Sequence, residues 1–398
     1  RRITGYVVDM STEPKIDAGR IKPILGVSKD SIAVESQLIA LAAWIRRNYG
    51  CTMNQALKTV IPIKKKEAGK EKKTVIFLLT QEQARDELST LLARKRHSQA
   101  KEKLLRTLME RSTLPWEDIT GKMQIPATVI RDFEKNGWVR IDAERAYRNP
   151  VPMTLEKERP IVLSPAQSVA VSRITQDMEA GRLGTYLLYG VTGSGKTQVY
   201  MELIAKTLAD GKSAIVLIPE IALTFQTVLR FYNHFGERVS ILNSRMSPGE
   251  RSDQFERAKR GLLDVMIGPR SALFTPFPNL GVIIIDEEHE ASYKQDSNPR
   301  YHAREVAVLR AQYNQAVLLL GSATPSLESR ARATKGVYEL IRLTQRANPA
   351  AKIPEVKVVD FRDYIGQNEA GNFTPVLVEA IADRLQKKEQ IVLMLNRR

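Results

Sequence analysis

Residues 186–203, YLLYGVTGSGKTQVYMEL, confine this chain more than any other stretch. An apolar run ends in a glycine-rich turn, Gly190-Val191-Thr192-Gly193-Ser194-Gly195-Lys196-Thr197, and a helical pattern follows. This spacing between a strand and a helix is that of a P-loop. Its glycines let the backbone curl so that successive N–H groups face phosphates at a helix N-terminus. On this reading Gly190 to Thr197 cradle ATP, Lys196 neutralises the β- and γ-phosphates, and Thr197 holds Mg²⁺. The loop points to an α/β fold but does not say what hydrolysis moves, because unrelated proteins share it.

The segments around it carry the fold further. GTYLLYG, SAIVLIP, LDVMIG, LGVIIIDEEH and AVLLLGSATPS are short apolar runs with helical patterns between them, each ending in small or charged residues. That alternation predicts a parallel sheet buried on both faces, with the chemistry at the C-terminal ends of its strands. Asp286 closes one such strand, where it is expected to support the Mg²⁺. Glu287, directly after it, is expected to orient and deprotonate an attacking water. Glu288 and His289 complete a D-E-x-H box, and Ser322-Ala323-Thr324 follows the next apolar strand.

Charge points to a partner. The net charge of +16 is uneven: residues 1–150 carry +11 and residues 151–398 carry +5. A basic first third implies a polyanion, either nucleic acid or an acidic membrane surface. No basic amphipathic helix with Trp or Phe on its apolar face stands out, so DNA or RNA leads. No apolar run of about 18 residues predicts a membrane span, and no apolar leader is visible, so a cytoplasmic location is expected. Cys51 is the only cysteine in the sequence. It therefore excludes an internal disulfide or a multi-thiolate zinc site in this chain, and is read as a small half-buried side chain.

The basic third is itself composite. RRITGYVVDM reads as a strand and EPKIDAGRIKPIL as a turn-rich connection to a short strand, so residues 1–34 look like the remainder of a β domain. Residues 35–50 have helical spacing closed by a glycine, and IKKKEAGKEKK (63–73) reads as a solvated connector. AKEKLLRTLME, PWEDITGKMQ and IPATVIRDFEKNG predict three helices, the last with Pro126 near its start and Gly137 past its end. A strand and wing, WVRIDAERAYRN, would complete a winged helix-turn-helix unit touching DNA through Thr128, Arg131 and Lys135 or the wing. Beyond the linker NPVPMTLEKERPIVLSP the α/β body runs to about residue 350. VKVVDF, PVLVEAIADRLQKKEQ and IVLMLNRR then predict a strand, a helix and another strand in residues 351–398.

The D-E-x-H and S-A-T spellings resemble superfamily 2 helicases and translocases. LYGVTGSGKTQVY, IPEIALT, GPRSALFTPFPNLGVIIIDEEHEASYKQDSNPRYHAREVAVLRA, LGSATPSLES and LNRR together resemble the bacterial replication-restart helicase family PriA (primosomal protein N-prime). AAWIRRNYGCTMNQAL is similar to that family's segment ahead of the winged helix. The resemblance implies a RecA-like helicase lobe over 151–350, the start of a second lobe over 351–398, and a 3′-end DNA-binding domain over 1–34. It implies ATP-driven 3′-to-5′ unwinding at stalled forks by a monomer, with primosome proteins and single-stranded-DNA-binding protein as partners. It assigns Gln167 to reading adenine, Ser322 and Thr324 to coupling, and Pro219, Glu220, Arg270 and Ser271 to the single-strand track. Tyr293, Lys294, Arg300 and Tyr301 match an aromatic-rich loop suited to stacking bases and pairing phosphates. Asn243, Gln198 and Phe255 depart from the family spelling, at positions that ligate neither metal nor phosphate.

Two expectations concern extent. The chain opens on Arg1 rather than Met, so residues ahead of it are expected. Arg397 and Arg398 match an early motif of the second lobe, not its arginine finger, and the family's cysteine-rich zinc region is not in this sequence. A chain of this extent is expected to bind nucleotide and DNA but to turn over weakly. A fork-binding module holding ATP without efficient turnover is the alternative.

Overall fold

The computed structural model describes residues 5, 7–8, 10–13, 17–26, 36–61, 70–93, 98–146, 162–347, 355–364 and 373–394. They fall in two compact units, residues 1–348 and 349–398. In residues 1–34 the described positions hold one 3-10 turn, Ala18–Arg20, and no strand. The strands expected there are not seen at these positions, and the rest of residues 1–34 lies outside the described residues.

The first helices are α1 (Ser36–Asn48) and α2 (Met53–Val60). Gly50, at φ 57°, and a capping box between Thr52 and Gln55 turn the chain between them. Their apolar positions, Leu38, Leu41, Ala42, Ile45, Ala56 and Val60, are buried in one core with Leu273, Phe274, Phe277, Val306 and Ala307. Residues 36–61 therefore pack into the α/β body rather than with residues 98–146, where the sequence reading had grouped them. Helical spacing shows that a face is buried, not what buries it.

A second assembly comprises β1 (Lys70–Phe77), α3 (Gln81–Leu92), α4 (Gln99–Glu110), β2 (Thr113–Pro115), α5 (Ala127–Lys135) and β3 (Val139–Ala146). The strands form an antiparallel sheet in the order β2-β1-β3. Val75, Leu104, Leu105, Leu108, Ile119, Ile130 and Phe133 fill its core. Three helical segments before a strand were expected, although the middle one is a π turn, Asp118–Lys122. The lysine-rich segment read as a connector supplies β1 from Lys70 onward; the wing beyond Ala146 and residues 62–69 lie outside the described residues.

The α/β body begins with α6 (Pro165–Glu179) and β4 (Thr185–Gly190), then α7 (Lys196–Ala209), β5 (Ser213–Leu217), α8 (Phe225–Phe235), β6 (Val239–Ile241), α9 (Pro248–Lys259) and β7 (Val265–Gly268). It continues through β8 (Leu280–Ile285), α10 (Ala303–Asn314), β9 (Val317–Ser322), α11 (Leu327–Thr334) and β10 (Glu339–Leu343). The seven strands are parallel, in the order β10-β4-β9-β8-β5-β7-β6. All residues of β5, β7, β8 and β9 are buried, as strands covered on both faces require. Every apolar run singled out in this region is a strand. β6 and β10 were not expected, being short and, in β10, interrupted by charge.

At the start of α10 the ring Nδ1 of His302 accepts the N–H of Arg304, capping the helix. Burial, aided by Arg304 and Lys294 against the opposing Glu305 and Glu288, holds the His302 pKa below its ordinary value. The unfolded chain then takes up this proton first as pH falls. The stabilisation is full above about pH 6.5 and is lost as pH drops towards the folded-state value. His302→Asn keeps a capping acceptor that does not titrate. Urea midpoints at pH 8 and pH 5.5 should therefore differ less in the variant, by a fraction of the roughly 1.4 kcal/mol per pH unit that one fully linked proton gives.

In residues 349–398 the expected helix is present as α12 (Pro375–Gln386). The two expected strands are not: residues 355–360 and 391–394 carry no ladder, and Val356, Val358, Val392 and Met394 are exposed. A parallel strand needs a neighbour to satisfy its backbone, and none lies beside either segment within this unit among the described residues. Residues 395–398, with Arg397 and Arg398, lie outside the described residues. Among those described, no helix is long and apolar enough to cross a membrane.

Candidate nucleotide site and the cleft beside it

The P-loop joins β4 to α7. Gly193 and Gly195 sit at φ 77° and 79°, which side chains resist, and a Cβ on Gly195 would overlap the Gln167 amide. Gly195 is the N-cap of α7 but offers no side-chain acceptor, so the first N–H groups of the helix have no internal cap. The Ser194 hydroxyl is buried without a partner. Lys196, itself buried, donates from Nζ to the Gly190 carbonyl at 3.1 Å and lies 3.8 Å from Glu287 Oε1. Uncapped N–H groups, an orphan hydroxyl and a poorly paired ammonium at one helix start fit a phosphate chain.

The other box residues gather at the ends of β8 and β9. The Asp286 backbone N–H donates to Leu217 O, and its Oδ1 accepts from the Tyr200 hydroxyl at 2.9 Å. Burial raises the Asp286 pKa, and the Tyr200 hydrogen bond opposes it. Glu287 adopts φ 45°, which turns its side chain back towards Lys196 and His289. His289 Nδ1 pairs with Ser322 Oγ at 2.8 Å, and its Nε2 lies 3.4 Å from Thr324 Oγ1. Ser322 Oγ also accepts the Thr324 N–H. Lys196, Glu287, His289, Ser322 and Thr324 are thus linked side chain to side chain across both boxes.

Three residues take roles that the sequence reading did not give them. Glu288, fully buried, accepts from the Ser326 N–H at 2.7 Å, from the hydroxyls of Ser326 and Ser329, and from Arg304 Nη1 at 2.9 Å, anchoring the start of α11. Tyr200 is fully buried and holds Asp286. It stands four residues after Lys196, on the same helix face, which is the signal that could have found it. Gly321 makes room for it: a Cβ there would overlap the Tyr200 hydroxyl and lie 2.8 Å from Cζ. Gly321→Ala should therefore lose about 1–3 kcal/mol by overpacking. The double variant with Tyr200→Phe, which removes the overlapping oxygen, should recover part of that in urea unfolding.

Gln167 packs against the P-loop itself. Its Oε1 accepts the Ser164 N–H in the capping box of α6, and its Nε2 donates to Ser194 O at 2.9 Å. Both ends of the amide are engaged, so the side chain braces the P-loop.

Beside this site a cleft of about 280 Å³ is lined by Pro219, Glu220, Arg270 and Ser271, all four expected track residues, together with Thr59, Ser244, Arg251 and Ser292. Ser244 and Arg270 hold the Glu220 carboxyl below its usual value. Tyr293 and Tyr301 reach this cleft from beneath, not as exposed stacking faces, and both are only 1% exposed. The Tyr293 hydroxyl donates to the carbonyls of Asp286 and Leu217, and Tyr301 packs edge-on against Phe274. Alternation with polar residues made them look like surface aromatics; their hydroxyls or rings are instead part of the core. Lys294 and Arg300 are exposed, as expected. Thr128, Arg131 and Lys135 share the exposed face of α5, opposite Val129, Ile130 and Phe133.

The family model for the DEAD/DEAH box helicase matches residues 164–333, and that for the 3′DNA-binding domain (3′BD) of PriA matches residues 1–62. Replication restart protein PriA of Bacillus subtilis (strain 168) is 43% identical over 286 residues, covering 72% of this chain and 35% of the relative. PriA of Chlamydia muridarum is 36% identical over 394 residues, covering 96% of this chain and 51% of the relative. The chain belongs to the PriA family. It spans 35% and 51% of these two PriA relatives, about half the length or less. The 3′BD match reaches through α1 and α2, the two helices buried against the body. A solved structure of RecG bound to a three-way DNA junction aligns with a TM-score of 0.43 and 24% identity, covering 57% of this chain and 28% of that one.

Proposed function

We propose that this PriA-family chain is the nucleotide- and DNA-binding portion of an ATP-dependent 3′-to-5′ DNA helicase that acts at stalled or branched forks during replication restart. The observation that carries this reading is the side-chain path from Lys196 through Glu287 and His289 to Ser322 and Thr324, beside a cleft that gathers the expected track residues. The N–H groups at Gly195 and Lys196, the Ser194 hydroxyl and Lys196 would hold the phosphates. Thr197 and Asp286 would hold Mg²⁺ in a site completed by the nucleotide and water, the usual way this ion is bound. When bound, Mg²⁺ would supply neutralisation of phosphate charge.

In this proposal Glu287 takes the proton of the attacking water, and Lys196 orients the γ-phosphate. His289 reports the state of Glu287 to Ser322 and Thr324. Arg270, Lys294 and Arg300 meet phosphates of the single strand, and Arg131 and Lys135 meet duplex or fork DNA. Primosome proteins and single-stranded-DNA-binding protein are proposed partners, on family membership. The second reading is fork binding with little turnover.

Strand displacement separates the two. A labelled fork with a free 3′ end is incubated with ATP or a non-hydrolysable analogue. Displacement with ATP alone supports the helicase reading, and stable binding without displacement supports the second. Absence of binding at physiological salt contradicts both.

A further inference from the structure

The hairpin α1–α2 lies ahead of both the three-stranded assembly and the P-loop in sequence, yet it is built into the body. Besides the shared core, Gln37 Nε2 donates to Tyr313 O at 3.3 Å, and the His302 N–H donates to the Tyr49 hydroxyl at 3.4 Å. Lys294 Nζ stands 5.4 Å over the Tyr49 ring, within reach of a cation–π contact. These contacts tie the hairpin to both ends of the segment that carries Lys294 and Arg300. Thr59 of α2 then completes the lining of the cleft that holds Pro219, Glu220, Arg270 and Ser271.

The chemistry of that lining suits a phosphodiester. Arg251 and Arg270 supply guanidinium groups and Ser244, Ser271 and Ser292 supply hydroxyls, while the Thr59 hydroxyl donates to Gln55 O at 3.1 Å. The Arg251 Nε is buried without a hydrogen-bond partner, and Arg251 Nη2 has only the Asn243 carbonyl at 3.3 Å. A buried donor left unpaired is expected to find an acceptor in the functional state. Among the described residues of the lining the one carboxylate, Glu220, is already engaged by the Ser244 N–H at 3.0 Å.

We propose that α1–α2 forms one wall of the single-strand cleft, so that a strand lying against Arg270 and Ser271 also touches Thr59. The hairpin and the body then grip the same strand. This rests on the single-strand track proposed above.

A photo-crosslinking residue, benzoylphenylalanine, placed in the full chain at position 59, at 271, or at the exposed Val169 of α6 as a control, separates the two claims. After irradiation with a labelled thymidine oligonucleotide, positions 59 and 271 should label and 169 should not. Labelling at 271 without 59 overturns the hairpin wall and leaves the track standing. Labelling at neither overturns both. As a second measurement, Thr59→Glu sets a carboxylate against the strand and should weaken oligonucleotide binding about tenfold, with thermal unfolding as the check on folding. Unchanged affinity in that variant overturns the inference.

Discussion

Lys196→Ala should lower DNA-stimulated ATP hydrolysis by about 10²-fold or more, the usual scale for removing one preorganised charge-stabilising donor. Lys196 enters from the first residue of α7 and is held between the Gly190 carbonyl and Glu287. It is nine-tenths buried, so water cannot replace it at full strength. Alanine keeps the helix start intact, and the variant should fold with an unchanged circular dichroism spectrum. Phosphate release measured on the same fork with both proteins checks it. A loss below tenfold would mean that the ammonium does not face the reacting phosphate.

The second large effect is on stability. Glu288→Ala should cost about 3 kcal/mol, at the low end of the range for stripping one partner from a buried ion pair. The carboxylate is wholly buried against Arg304, whose side chain is 6% exposed, and it also accepts from Ser326 and Ser329 at the start of α11. Alanine leaves Arg304 buried and the helix start without its acceptor. The low end applies because Arg304 Nε also lies 3.3 Å from Glu305, which is shared with Arg332. Adding Arg304→Met to Glu288→Ala removes the stranded charge and should recover part of the loss. Urea unfolding of the wild type and the two variants measures it. Glu288→Ala within about 0.5 kcal/mol of wild type would show that this cluster does not hold α11.

Much of this was legible in sequence where pattern and period agree. A strand buried on both faces reads as a continuous apolar run, which is why β5, β7, β8 and β9 were visible. The P-loop, Asp286-Glu287 and Ser322–Thr324 were visible because their chemistry needs fixed residue types at strand ends. β1 was obscured because a lysine-rich antiparallel strand resembles a solvated connector until its partner β3 is known. Tyr293 and Tyr301 were misjudged because local sequence records polarity of neighbours, not the Leu217 and Asp286 carbonyls or the Phe274 ring that receive them. The placing of α1–α2 on the body, and the bracing of the P-loop by Gln167, are long-range facts. Contacts between residues 27 to 276 positions apart leave no mark in one sequence.

The most direct test of the account is the rate of ATP hydrolysis by this chain with and without forked DNA bearing a free 3′ end, with Lys196→Ala as the control. The account predicts a low rate that DNA raises and that Lys196→Ala abolishes. A rate indifferent to DNA and to Lys196 would contradict it, since the linked side chains from P-loop to Thr324 would then serve no nucleotide.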